Sequence, residues 1–320
     1  MSDALKSTAP PVADPLGSQV ALPARRPGWR AAPAARFAAE YAASPVAVVA
    51  LSVTVFLALL AVFANWITPQ NPYDLAQLDI MEGMQPPGST NFDGTMTYHL
   101  GTDQQGRDML SAIVFGLRMS LGVGAMSTVI ALTLGMSVGV LAAYFGGKVD
   151  SVIMRLVDLQ LSFPAILVAL ILLAVLGKGV DKVIVALIIV QWAYYARTVR
   201  GTALVERRKE YIEAASCLAL SHRRIVFRHL LPNCLPPLIV VATVQVANAI
   251  ALEATLSFLG VGVPITEPSL GLLIANGYNY MLSGRYWVAF FPGIALLVTI
   301  VAINLVGDQL RDVLNPRLKR

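Results

Sequence analysis

An all-α integral membrane protein with six transmembrane helices is the fold class that this sequence predicts. Three observations predict it. Of 320 residues, 56% are hydrophobic and only 13% are charged, about half the charged share of a soluble domain, roughly 25%. The apolar residues gather in runs near the ~20 residues that a helix needs to cross a bilayer. Lys and Arg concentrate on one set of connections between those runs, the pattern that orients membrane proteins.

Taken in order, residues 1 to about 36 are rich in Ala, Pro, Ser and Arg, and residues 1–40 predict a disordered tail. No apolar core stands at the very start, so a cleaved signal peptide is not expected. The first span runs from about Val46 to Ala64 within a segment 41–67, and Trp66 suits the headgroup layer. Residues 68–117 predict an extracytoplasmic loop, broken by Pro72, Pro86, Pro87 and Gly88, and then an amphipathic lead-in helix from Arg107 to Leu117.

Residues 118–310 form the core. The second span, about Met119 to Tyr144, carries Gly122, Gly124, Gly135 and Gly139, which let helix backbones approach closely. The third runs from about Leu161 to Leu176, with Pro164 kinking its entry. The fourth is Val183 to Ala196 and the fifth Leu235 to Leu256. A Gly/Pro-rich stretch from Gly260 to Gly271 and a loop to Arg285 precede the sixth, Tyr286 to Val306, with a tail at 311–320.

Six spans place both termini on one side. Only Arg107, Arg118, Lys178, Lys182 and Arg285 fall opposite, leaving nineteen of the 24 Lys and Arg on the side of the termini. That asymmetry assigns the termini to the cytoplasm. The net charge of +5 therefore reads as membrane orientation and not as a nucleic-acid surface. Cys217 and Cys234 have no metal-ligand spacing and read as unpaired thiols on a reducing side. With His99, His222 and His229 the only histidines, no metal site is expected.

The segment from Lys209 to Asn233 is the most informative, a charged helix-forming stretch between apolar runs. Its charges exclude it from lipid. Helix propensity is high from Glu206 to Ala219. Ser221 is placed to cap a second helix near His222, and Pro232 marks re-entry into the membrane. Two short helices joined at a bend, at about 205–232, are expected along the membrane surface.

Glu213-Ala214-Ala215, then Ala219, His229, Leu231 and Pro232, resemble the E-A-A signature of permease subunits in bacterial ABC importers. Ala219 stands where the family has glycine, and His229 where it has isoleucine. Three further stretches resemble the dipeptide/oligopeptide branch. They are Leu100-Gly101-Thr102-Asp103 with Gly106-Arg107-Asp108, Glu253 through Gly260, and Gly307 through Asp312 with Pro316-Arg317. Asn315 replaces a family Asp there. The similarity runs from about Pro45 to the end and points to the DppC/OppC type of subunit.

The resemblance implies the type I ABC importer permease fold and a transport role without enzymatic activity of its own. It implies a second homologous permease of the DppB/OppB type, two ATP-binding cassette ATPases, an extracytoplasmic substrate-binding protein and the lipid of the bacterial inner membrane. ATP and Mg would be bound by the ATPases, since this chain has no G-x-x-x-x-G-K-[ST] loop. Dipeptides, longer peptides, nickel complexes and glutathione are among the family's substrates, and selection rests mostly with the binding protein.

Each site residue also has a plainer reading. Glu213 is either an ATPase-docking carboxylate or a solvated one. Arg223, Arg224 and Arg228 read as orientation anchors or as ATPase contacts. Gln245, Asn248 and Asn304 line a translocation path or bond across helices as packing. Glu253 is functional by its depth or hydrogen-bonded to a loop. Arg107 and Asp108 fix the loop or help meet the binding protein, His99 reads as a surface residue, and Tyr286 and Trp287 as interface anchors. A self-contained channel or secondary transporter is the competing function. It would need coupling carboxylates deep in several spans, and Glu253 is the one candidate.

Overall fold

The computed structural model describes residues 33–314, so most of the predicted N-terminal tail and residues 315–320 lie outside the described residues. Short helix α1 (Pro33–Ala42) precedes α2 (Pro45–Val62), the first span. The Ser44 hydroxyl caps α2 through the Ala47 N–H, and Pro45 takes the first-turn position where its missing N–H costs nothing. A four-residue turn, α3 (Ala64–Ile67), ends this element with Trp66 exposed, as suits a headgroup anchor.

The extramembrane cap that follows holds two 3₁₀ turns and a small antiparallel hairpin, β1 (Ser89–Thr90) with β2 (Thr97–Tyr98). Its inner wall is polar and well bonded. The Tyr98 hydroxyl donates to the buried Glu82 carboxylate, and burial and that neighbour push the phenol pKa up. Asp103 accepts the N–H groups of Gln105 and Arg107 at 2.8 and 3.0 Å. Arg107 is buried and donates to the Ile265 carbonyl at 3.4 Å. His99 is exposed.

Asp108 begins α4 (Met109–Phe145) by accepting the Ser111 N–H at 2.8 Å. The expected lead-in helix and second span are therefore one element. Nothing between Arg107 and Met119 breaks a helix, and 37 residues make a rod of about 55 Å that outreaches a bilayer core.

The third span differs more. Gly147–Ser162 (α5) and Ala165–Leu176 (α6) meet at 91°. Pro164 drives Phe163 into extended geometry, φ −94° and ψ 141°, because the residue before proline clashes in the helical region. The result is a corner where a kink was expected. Among the described residues, five helices are long and apolar enough to cross a membrane, six if the bent pair counts as one span.

Helix α7 (Val180–Glu206) runs a full ten residues past the expected fourth span. It packs along α4, where Gly135 and Gly139 meet the backbone of Trp192 and Ala196. Gly124 meets Ile250, whereas Gly122 faces open space and serves no contact. Next come α8 (Glu210–Cys217), the single turn α9 (His222–Arg224), a π-helical turn at Ile225–Leu230, and α10 (Leu231–Phe258). The residues from His222 to Phe258 form one 37-residue span.

Past α10, the segment expected to be irregular holds a buried helix, α11 (Leu270–Tyr278), capped by Ser269 through the Leu272 N–H. The last span is α12 (Trp287–Leu314). Trp287 is buried, with its indole N–H on the Thr102 carbonyl at 3.2 Å. It locks the cap to the bundle and does not anchor in headgroups; Tyr286 beside it is exposed.

Candidate functional site: the surface elbow and the polar wall

The elbow is built from α8 inward. Ile212 and Ala215 point into a buried cluster with Tyr195, Val199 and Ala203 of α7 and Leu230, Cys234 and Leu238 beyond the bend. Their spacing of three puts them on one helix face, so α8 is pinned to the bundle by a narrow apolar stripe. Glu213 and Ala214 consequently face outward and are exposed. Among the described residues Glu213 enters no ion pair. Glu210 and Glu213 lie in the first turn, where carboxylates favour the helix dipole.

The entry to α8 is braced by polar contacts that the sequence did not flag. Glu206 accepts from Lys209 and from the Tyr211 hydroxyl, each at 2.6 Å. Burial, then this bond, pushes the Tyr211 pKa up to about 12. Arg207 donates to the Ala143 carbonyl at 3.0 Å and lies over the Tyr144 ring. The i,i+3 spacing of Glu206 and Lys209 was the available signal.

The exit from α8 is a left-handed cap. Ala219 has φ 54°. Its N–H bonds the Ser216 carbonyl at 3.0 Å, and the Leu220 N–H bonds that of Ala215 at 3.2 Å. This pair of bonds is the Schellman arrangement, which favours glycine at the position Ala219 holds. The replacement of the family glycine therefore leaves the bend sharp, at the cost of a strained alanine. Leu218 projects from the bend, 74% exposed.

Beyond the bend the expected second short helix does not stand alone. Ser221 takes the cap position but makes no side-chain cap bond. Pro232 is the second residue of α10, inside a continuous helix. It removes one backbone donor, and the turn before it is π-helical, with the Leu231 N–H on the Val226 carbonyl. His229 and Leu231 are half-buried and Pro232 is exposed. The His229 carbonyl accepts from Asn233 at 2.6 Å.

A second feature lies along α7 and α10. A cleft of about 470 Å³ is lined by Gln191, Tyr194, Gln245, Asn248 and Thr255, with Ala165 and Ile166 of α6. A groove of about 830 Å³ toward the elbow holds Thr198, Thr202, Glu206, Asn233, Asp308 and Arg311. Gln245 lines both, so the two adjoin as one wall whose polar groups stand among apolar side chains such as Val190, Leu252, Val240 and Val244. Asn248 donates to Gln245 at 3.2 Å, and the Gln191 amide donates to the Gln245 carbonyl at 3.5 Å. Gln191 was missed, although an amide within the fourth apolar run was a legible signal.

The other predicted path residues are elsewhere. Asn304 is half-buried on α12 and lines neither cleft. Glu253 is fully buried and accepts from Ser120 of α4 and Ser257 of α10, each at 2.8 Å. It ties helices together inside the bundle and does not face the wall.

Known proteins resemble this chain along most of its length. The family described as binding-protein-dependent transport system inner membrane component matches residues 131–320, and the N-terminal TM domain of oligopeptide transport permease C matches 33–87. The dipeptide transport system permease protein DppC of Escherichia coli (strain K12) is 39% identical over 274 residues, covering 86% of this chain and 90% of its own. The di/tripeptide transport system permease protein DppC of Pseudomonas aeruginosa (strain UCBPP-PA14) is 37% identical over 81% of this chain and 84% of its own. An inward-facing structure of the MetNI methionine ABC transporter superposes with a TM-score of 0.53 at 24% identity, covering 64% of this chain and 97% of that one, which shows a shared fold. The chain belongs to the binding-protein-dependent transport system inner membrane components, as a multi-pass permease subunit of an ABC importer.

Proposed function

We propose that this subunit forms one half of the pore of a peptide importer and takes its drive from an ATPase seated on α8. The observation that carries the proposal is the geometry of that helix. Ile212 and Ala215 fix it to α7 and α10, while Glu213, Ala214 and Leu218 are left uncovered. A rigidly mounted surface with an exposed apolar tip and an exposed carboxylate suits a protein partner. Force applied there reaches the spans directly, because α7 enters the elbow and the helix from His222 to Phe258 leaves it.

The partners of this reading are two ATP-binding cassette ATPases that hold ATP and Mg, an extracytoplasmic binding protein and a second homologous permease. The polar wall along Gln191, Gln245 and Asn248 supplies one side of the path, and the second permease supplies the other. Nucleotide binding then biases a two-state membrane element. Peptide as the substrate class rests on the names of the relatives, and the cytoplasmic placement of α8 and of both termini rests on the charge asymmetry.

The test is Glu213→Lys in the co-expressed complex. Reversing a charge at a close contact weakens docking, so ATPase co-purification and ATP-driven peptide uptake fall together. Unchanged co-purification and uptake would remove the docking role.

A further inference from the structure

A second cleft at the elbow end of the bundle has a different chemistry. About 320 Å³ in volume, it opens between the end of α4 and the turn that starts the fifth span. Its apolar lining is Met136, Val140, Leu141, Phe145, Val226 and Phe227. Phe145 and Phe227 are 61% and 63% exposed. Higher on α4, Met126 and Val129 are also exposed, and the spacing from Met126 through Val129, Thr133, Ser137 and Leu141 keeps one helix face. The cleft therefore opens on the exposed apolar face of α4 and shares no lining residue with the wall on α7 and α10.

The rim is basic. Arg223 and His222 line it and are exposed, and no carboxylate does. The His222 Nδ1 shares a hydrogen bond with the Tyr144 hydroxyl, which fixes the ring and leaves Nε2 for a ligand. Arg207 lies over the same Tyr144 ring and donates to the Ala143 carbonyl, so it holds the ring in place and does not itself line the cleft. An apolar slot at a membrane boundary, crowned by an arginine and a histidine, matches a lipid with an anionic headgroup. Its acyl chain fills the slot while the phosphate meets the nitrogens.

We propose that this cleft holds one anionic phospholipid, which wedges between α4 and the helix leaving the elbow. The proposal stands apart from the peptide reading, because it needs only the membrane-embedded bundle. A lipid here touches the π-helical turn through Val226 and Phe227, so it braces the same joint that α8 would move.

The probe is phosphatidylglycerol. The full importer is placed in nanodiscs of phosphatidylcholine with a minor share of phosphatidylglycerol, and retained lipid is read by native mass spectrometry. The wild type is expected to keep phosphatidylglycerol several-fold over its share. Arg223→Gln, an exposed position, and Ser137→Trp, which obstructs the open side of the cleft, are each expected to abolish that enrichment with the complex still assembled. Retention in proportion to the mixture overturns the proposal, and so does enrichment that survives either variant. Enrichment seen only after the ATPase is stripped away also overturns it, since a protein then covers the cleft.

Discussion

The N–H of Leu220 reaches back to the carbonyl of Ala215 at 3.2 Å, and it does so only because Ala219 between them is left-handed. A Cβ in that region costs about 1–2 kcal/mol. Ala219→Gly removes the strain without changing the bend. It is expected to raise the thermal stability of the purified complex slightly and to leave uptake intact. Ala219→Val adds branching at the same φ and is expected to lower co-purification of the ATPase. Scanning calorimetry or a thermal-shift assay on the complex, with a pull-down beside it, checks both.

Gly135 presses on α7 so closely that a Cβ there would stand 2.4 Å from the Trp192 carbonyl oxygen and 2.6 Å from the Tyr195 Cβ. Backbone cannot yield as a side-chain tip does. Overpacking typically costs about 1–3 kcal/mol, and Gly135→Leu is expected to reach the upper end. Gly122→Leu is the control, because nothing lies within 4 Å of its Cβ position. Yield of monodisperse complex from membranes should fall sharply for the first and hold for the second.

These two glycines also show what the sequence made legible. Their apolar surroundings in the second run look alike, and only the pairing with α7 separates them. The places of five long apolar runs were readable, because apolar length is a local property. The corner at Pro164 was half-readable: proline announced a break, but its 91° angle depends on what α6 packs against. Helix α11 was hidden, since Leu270–Tyr278 is too short for a span and follows a Gly/Pro-rich stretch. At the elbow, the outward residues Glu213 and Ala214 were found by motif. Ile212, Tyr211 and Arg207 were not, because their roles come from partners on α4 and α7.

Glu253 illustrates the same limit, and its setting is testable. Serine hydroxyls on α4 and α10 donate to its carboxylate, and Ser269, in the loop ahead of α11, is a further serine bonded to it. Glutamine keeps the shape, and a hydroxyl can turn to accept from its amide. Glu253→Gln is therefore expected to cost under about 1 kcal/mol, whereas Glu253→Ala opens a cavity and strands these hydroxyls, for about 2–4 kcal/mol. Thermal unfolding of the complex separates them. If Gln and Ala variants unfold alike while uptake is lost in both, the carboxylate serves transport and not the bundle.

The two thiols give a direct reading of which side the elbow faces. Cys217 ends α8 and is exposed, whereas Cys234 is buried in α10. A membrane-impermeant maleimide therefore meets one target. With α8 in the cytoplasm, Cys217 is expected to label in inside-out vesicles and stay unlabelled in intact cells, with Cys217→Ser as the blank. The reagent also reports docking, because Cys217 lies one turn from Glu213 on the same short helix. Adding the ATPase should slow the labelling several-fold, and Glu213→Lys should restore it. Modification of Cys217 in intact cells would place the elbow outside, where no ATPase could reach it, and the import mechanism would have to be abandoned.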